Sequence, residues 1–180
     1  MTARYVLGFA LSLDRRSVMM IRKLRPSWQA GLLNGVGGRI EDGETPAAAM
    51  RREGWEEAGV DLDWSPLATL RGEGFHIEAF EAFSDEIWRA FSKTDEPVGV
   101  YPVAEVIGRE HPMPRNIPLF LSLALDESGI MKPVHLSEVA ALRSPEDVGD
   151  RERELLEANN REVERRRVAE QSLRSLMEAA

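Results

Sequence analysis

Apolar residues fill Tyr5–Leu13 and Val18–Leu24, with the polar tetrad Asp14-Arg15-Arg16-Ser17 between them. Runs of this length, rich in β-branched and aromatic residues, predict two paired strands joined by a tight turn. A loop with Pro26, Trp28 and Gly31 follows, then the glycine-dense stretch Asn34-Gly35-Val36-Gly37-Gly38-Arg39-Ile40. Thr45 is a good helix cap, Pro46 suits the first helical position, and Ala47-Ala48-Ala49-Met50 are mostly strong helix formers. Gly59 supplies a left-handed stop, so this helix is predicted over 46–58. Further on, Leu67–Arg71, Phe75–Phe83 and Gly99–Val103 read as strands, with a polar loop around Ser92–Glu96. Ile87–Phe91 reads as another short strand. Pro112, Pro114 and Pro118 punctuate a loop before an apolar helix at Leu119–Leu125. Strands interleaved with two helices predict a mixed α/β sandwich.

After Ser144 the pattern changes. Ser144-Pro145-Glu146-Asp147 opens like a capping box, and Asp150–Glu178 is charged and free of proline. That composition predicts a long C-terminal helix. Its apolar positions, among them Leu155, Leu156, Val163 and Val168, keep no heptad, which argues against a long coiled coil. The expected organisation is a domain over 1–143 and a charged helical extension over 144–180. The extension packs on its own domain or forms a homodimer through the C-terminal helix.

A chain of 180 residues that is 43% hydrophobic can bury a core without staples. There is no cysteine, which excludes disulfide frameworks, thiolate metal sites and thiol nucleophiles. The net charge of −8 disfavours duplex nucleic acid as a partner. No apolar run is long enough to span a bilayer, so no membrane partner and a cytoplasmic location are expected. His76, His111 and His135 are too far apart in sequence to make a local metal motif.

The segment from Gly38 to Val60 carries the chemistry. Glu53, Glu56 and Glu57 lie on the predicted helix, and offsets of three and four put Glu53 beside both others. Three carboxylates near a helix C-terminus repel each other and meet an unfavourable dipole. A divalent cation reverses that sign, and hard oxygen donors select Mg²⁺, with Mn²⁺ as a substitute. Arg52 is placed to pair with Glu44 or Glu56 and hold the acids in position. An isolated E-x-x-E-E would more often be a solvated acidic face. The wider spacing changes that reading.

Gly38, five residues, Glu44, seven residues, Arg52-Glu53, two residues, Glu56-Glu57, one residue, Gly59-Val60 resembles the signature box of the Nudix hydrolases. The family pattern is G-x5-E-x7-R-E-U-x-E-E-x-G-U, with U a bulky aliphatic residue, and every charged and glycine position is met. One position departs: Gly54 stands where the first U belongs, at a helix cost of roughly 1 kcal/mol relative to alanine. Trp55, next to it, is expected to compensate.

The resemblance covers about residues 3–130 and implies an α/β fold: a Nudix-like α/β/α sandwich with a mixed β-sheet, to which the C-terminal helix is added. It implies Mg²⁺-dependent hydrolysis of a nucleoside diphosphate linked to another group. By position, Glu53, Glu56, Glu57 and the carbonyl of Gly38 are the implied metal ligands, with Glu53 activating water. A further acid commonly comes from a later loop, and Glu96 is the expected one. Leu33–Gly38 is similar to the corresponding stretch of the branch that sanitises the nucleoside triphosphate pool (8-oxo-dGTP type). There Asn34 would meet the base edge, unless it only stabilises the turn before Gly35. Arg22 and Lys23 are candidates for phosphate contact, Trp28 for stacking on a base, and Asn116 for base reading or for capping the helix that follows. The substrate is expected to be a small-molecule nucleotide, a purine triphosphate above all. Hydrolysis of ADP-ribose, NADH or dinucleoside polyphosphates, or a catalytically weak nucleotide-binding module, are the rival readings.

Overall fold

The computed structural model describes residues 2–137. The extension expected over 144–180, and with it the expected helix and dimer contact, lies outside the described residues. In chain order the strands are β1 (Ala3–Leu11), β2 (Ser17–Arg22), β3 (Leu33–Asn34), β4 (Ser65–Gly72), β5 (Phe75–Phe83), β6 (Val98–Pro102) and β7 (Val134–Ser137). The helices are α1 (Pro46–Ala58), α2 (Val103–Ile107) and α3 (Asn116–Ala124), with short 3₁₀ turns at Ser27–Gln29 and Asp85–Arg89.

The strands make one mixed, seven-stranded sheet. β1 runs parallel to β5 along its whole length and pairs antiparallel with β2 at its end. β5 continues into β4, antiparallel, and β4 into β7, parallel. Met19 of β2 pairs with Ala10 on one side and Val100 on the other, so β6 lies on the edge of β2 away from β1. The last two residues of β2 pair with β3. Alternation along β1 explains its unbroken apolar text. Leu7, Phe9 and Leu11 pack with Ile117, Phe120 and Leu121 of α3, while Val6 and Ala10 pack with Ala49 and Met50 of α1. A strand covered on both faces needs no polar side. Phe9 is therefore core, its ring centroid 5.9 Å from that of Phe120.

Three sequence expectations give way. Ile87–Phe91 does not form a strand: Ser84 Oγ accepts from the Glu86 N–H at 3.1 Å and starts the turn Asp85–Arg89. Ile87 alone is buried there, and Trp88 is exposed. The helix expected at Leu119–Leu125 begins earlier, at Asn116, because Pro118 falls in its first turn, where no intrahelical N–H bond is lost. Asn116 is consequently the first helical residue and not the cap; Arg115 holds the cap position without a side-chain bond. α2 and β7 have no counterpart in the sequence reading. Among the described residues no helix is long and apolar enough to cross a membrane.

Candidate active site

α1 starts and ends as its sequence requires. Thr45 Oγ1 accepts from the Ala48 N–H at 3.2 Å, and Gly59 stops the helix with φ 67°. The helix's last carbonyls are also used: those of Glu57 and Ala58 accept from the Lys93 and Phe91 N–H groups, both at 3.1 Å. The loop that leads to Glu96 is thereby tied to the end of α1. On the other side, the Gly38 carbonyl accepts from the Val6 N–H at 2.9 Å, clamping the glycine stretch onto β1. Glu53 fills the space a side chain at position 38 would need: a Cβ there would lie 2.4 Å from Glu53 Oε1. A side chain at position 38 would have to push the Glu53 carboxylate out of this place.

The three helix acids differ in shelter. The side chains of Glu53 and Glu57 are 12% and 11% exposed, that of Glu56 54%. Arg52 organises the outer half of the group. Its Nε and Nη2 grip Glu44 Oε1 and Oε2, both at 3.0 Å, and Nη2 also reaches the Arg39 carbonyl at 3.1 Å. Nη1 bridges Glu53 Oε1 at 2.8 Å and Glu56 Oε2 at 3.1 Å. The open alternative for Arg52, Glu44 or Glu56, resolves as both. Hydrogen bonds from Arg52 hold the Glu44 carboxyl below its ordinary range, and the same bonds, first of all the one to Glu44, hold the guanidinium firmly charged. Burial pushes Glu53 up in spite of Arg52.

The inner half is built around Glu57. Its Oε2 accepts from the Gly37 N–H at 2.9 Å, and Lys23 Nζ stands 3.4 Å from Oε1. Burial outweighs both and pushes the Glu57 carboxyl up to about 7. Lys23 Nζ is much closer to Glu96 Oε2, at 2.5 Å. Glu96 Oε1 accepts from the backbone N–H groups of Leu24 at 2.7 Å and Arg25 at 3.2 Å. Burial works against the charged form of Glu96, yet Lys23 and these donors hold its carboxyl below the ordinary range. Burial likewise works against the Lys23 ammonium, and Glu57 and Glu96 together more than restore it.

Of the expected residues, Gly38, Glu44, Arg52, Glu53, Glu56, Glu57, Lys23 and Glu96 come together here. The others sit apart from this network. Arg22 Nη1 donates to the Gly31 carbonyl at 2.9 Å, Asn34 Oδ1 accepts from the Gly35 N–H at 2.9 Å, and Trp28 lies half-exposed on its 3₁₀ turn. Asn34 nevertheless adjoins the proline loop, because the neighbouring Leu33 N–H donates to the Pro112 carbonyl at 2.8 Å. His111 and His135 pair with Glu105 and Thr69, away from α1. The sequence reading missed the backbone donors of Gly37, Leu24 and Arg25, which no side-chain pattern signals. It also assigned the compensation for Gly54 to the wrong tryptophan. Trp55 is exposed beneath Lys93, whereas Trp64 Nε1 lies 3.4 Å from where a Cβ on Gly54 would stand.

Among the described residues no three carboxylate or imidazole side chains form a ready-made cation cage. Arg52 lies between Glu53 and Glu56, and Lys23 between Glu57 and Glu96. The donor chemistry still fits a hard divalent cation: oxygens only, two of them on sheltered carboxylates that burial drives toward their neutral form.

A sequence model of the NUDIX domain matches residues 1–166. In three dimensions the chain is similar to MutT, in a study of the enzymes of Aliivibrio salmonicida and Vibrio cholerae, with a TM-score of 0.59 at 19% identity over 69% of this chain and 98% of that one. A NUDIX-family hydrolase from Clostridium perfringens gives 0.58 at 19% identity, over 70% and 97% of the two chains. A NUDIX hydrolase from Nitrosomonas europaea gives 0.58 at 17%, over 76% and 80%. No curated protein matches the chain. The box, the sandwich around it and the family match define a hydrolase of pyrophosphate bonds in nucleotide-like substrates. The chain belongs to the Nudix family, whose members generally use divalent metals such as Mg²⁺.

Proposed function

We propose that this chain is a Mg²⁺-dependent nucleoside triphosphate pyrophosphohydrolase, with Mn²⁺ able to substitute, that removes oxidised or non-standard purine nucleotides. It converts the (d)NTP to the monophosphate and pyrophosphate. The observation that carries the reading is the pair of sheltered carboxylates, Glu53 and Glu57, four residues apart on α1 and packed against Gly37-Gly38. A bound divalent cation neutralises charge on the phosphate oxygens and acidifies water. The chain's own groups do the rest. Glu53, its basicity raised by burial, takes the proton of the attacking water. Water oxygen bonds to one phosphorus of the α–β bridge, the bond from that phosphorus to the bridging oxygen breaks, and the monophosphate and pyrophosphate separate. Arg52, held by Glu44, fixes the carboxylates of Glu53 and Glu56, and the Gly37 N–H fixes that of Glu57, so that these groups would be positioned to hold a divalent cation. Glu53, Glu56, Glu57, Glu96 and the Gly38 carbonyl would hold it.

The purine preference rests on Asn34. With its oxygen engaged by the Gly35 N–H, the side-chain amide nitrogen is left to donate to a purine carbonyl. Asn116, at the start of α3, and the half-exposed Trp28 supply a second polar contact and a stacking surface. A panel of canonical and oxidised (d)NTPs, ADP-ribose, NADH and dinucleoside polyphosphates, scored by kcat/KM with Mg²⁺, tests the assignment. The highest value should fall on an oxidised purine triphosphate. Turnover confined to the diphosphate-linked compounds would remove it.

A further inference from the structure

Arg51 and Trp55 are not used by the acid cluster, although they lie on the same helix. They stand four positions apart on α1, with Arg52 three positions before Trp55, so the three side chains are neighbours on its outer surface. Together with Asp61, just beyond the helix, they line an open cavity of about 390 Å³. Trp55 is 54% exposed, and Lys93 Nζ stands 3.9 Å from the centre of its ring. Lys93 is not part of the cavity wall, so the ammonium covers one face of the indole and the cavity lies against what it leaves uncovered. A cation over one face holds the ring in place without burying it. The indole is thus set in advance for a flat partner, which lowers the cost of binding one. The polar wall offers both hydrogen-bonding senses. Arg51 Nε donates to Asp61 Oδ1 at 3.0 Å, and Arg51 Nη2 to Asp61 Oδ2 at 2.8 Å. That pairing uses one lone pair on each carboxylate oxygen and leaves the other free. Among the described residues it also leaves the hydrogens of Arg51 Nη1 unspent. Hydrogen bonds from Arg51 hold the Asp61 carboxyl below its ordinary range, so it is an acceptor at neutral pH.

We propose that this cavity is a second base-binding site, separate from the hydrolytic one, and that it takes the guanine of a guanine nucleotide, with Trp55 as the stacking platform. Guanine matches the wall group by group. Its flat ring covers the free surface of the indole. Its N1–H and 2-amino group donate to the two oxygens of Asp61, and its O6 accepts from Arg51 Nη1. Adenine has a lone pair at N1 where guanine has a hydrogen, and so sets an acceptor against the carboxylate. Pyrimidines bring a smaller ring to the indole. The cavity adjoins the acids through Arg52, which lines the one and bonds Glu53 and Glu56 in the other. The guanine therefore belongs either to a free mononucleotide or to the far end of a two-headed nucleotide held at the acids.

The test is nucleotide binding to the full chain in EDTA, read by tryptophan fluorescence and by calorimetry. GMP should quench the emission and bind about tenfold more tightly than AMP. Trp55→Ala should lose the quench and weaken GMP about tenfold, while Trp55→Phe, which keeps a ring, should retain most of the affinity. Asp61→Asn should erase the preference for GMP over AMP, because an amide nitrogen replaces one of the two acceptors. Trp28→Ala, at the ring proposed to stack in the hydrolytic site, should bind GMP as the parent does. No GMP binding by the parent, or binding that Trp55→Ala leaves intact, overturns the proposal. So does binding that disappears in Trp28→Ala, because the base then sits in the hydrolytic site. Diguanosine tetraphosphate separates the two sources. Affinity equal to that of GMP assigns the cavity to free mononucleotides. Binding at least tenfold tighter, with the gain lost in Trp55→Ala, assigns it to the far nucleoside. None of these outcomes involves turnover, so failure here leaves the hydrolase reading standing, and that reading is decided by the nucleotide panel.

Discussion

A carboxylate taken out of water next to another carboxylate destabilises a fold until a proton or a cation joins it. Glu57 is in that position: burial raises its carboxyl from the ordinary 4.5 to about 7, and Glu53 nearby pushes the same way. A raised carboxyl binds its proton more tightly in the folded chain than in the unfolded one. Its contribution to stability is thus complete below about pH 4.5 and is lost as pH rises through 7. In EDTA the chain should therefore be less stable at pH 7.5 than at pH 5.5, by about 2 kcal/mol from this group, and melt correspondingly lower. Glu53, also raised, adds to the slope in the same sense. Glu57→Gln should flatten the slope and melt above the parent at pH 7.5; an unaltered slope would show that Glu57 is not the group responsible. Glu53→Gln separates stability from chemistry. Loss of the proton acceptor should lower kcat by about 10²–10⁴, while the Tm in EDTA stays equal or rises. The identities of these acids were legible from spacing alone. Their unequal shelter was not, because it depends on Gly37, Gly38 and Lys23 arriving from other parts of the chain.

Elements with strong local signals follow the sequence closely. Thr45, Pro46 and Gly59 bound α1 at the residues expected, since cap, first turn and stop are all decided within a few positions. β5 likewise spans Phe75–Phe83 as read. Elements defined by distant partners were not legible: β7 exists through its pairing with β4, and Asp85–Arg89 turns because Ser84 stops the extended chain and only Ile87 finds a core. Gly54 shows the same limit. Trp64, ten positions on, covers the bare helix surface, and its ring also lies against Gly8 of β1 and Met50. Two glycines thus make a slot for one indole between strand and helix. A Cβ on Gly54 meets nothing closer than 3.4 Å, so Gly54→Ala should stabilise the chain by about 0.5–1 kcal/mol through helix propensity. Gly54→Ile, which restores the aliphatic residue of the family box, should instead destabilise, because the slot is occupied. Combining it with Trp64→Ala should recover part of that loss. A double-mutant cycle from urea melts reads the coupling, and additive effects would mean that Trp64 does not fill the place of the missing side chain.

At the scale of the whole molecule, charge sets a condition on how substrate arrives. The chain carries −8 and its proposed substrate is a polyphosphate, so the long-range field opposes encounter. The basic groups nearest the acids do not reverse this. Arg52 is spent on Glu44, Glu53 and Glu56, Lys23 on Glu96 and Glu57, and Arg25 on Asp95 at 2.5 Å. Local attraction is thus left to the divalent cation, which acts at contact distance, while repulsion acts over the Debye length. That length shrinks from about 30 Å at 0.01 M salt to about 8 Å at 0.15 M. Raising ionic strength over this range removes repulsion first and leaves the contact interactions largely intact. With Mg²⁺ kept saturating, kcat/KM for the triphosphate should accordingly rise, or at least hold, between low and physiological NaCl, and the change should sit in KM. An enzyme that steers its anionic substrate with a basic patch behaves in the opposite way, losing kcat/KM steeply over the same range. Observing that steep loss here would mean that cations outside the network of Arg52 and Lys23 guide the nucleotide in.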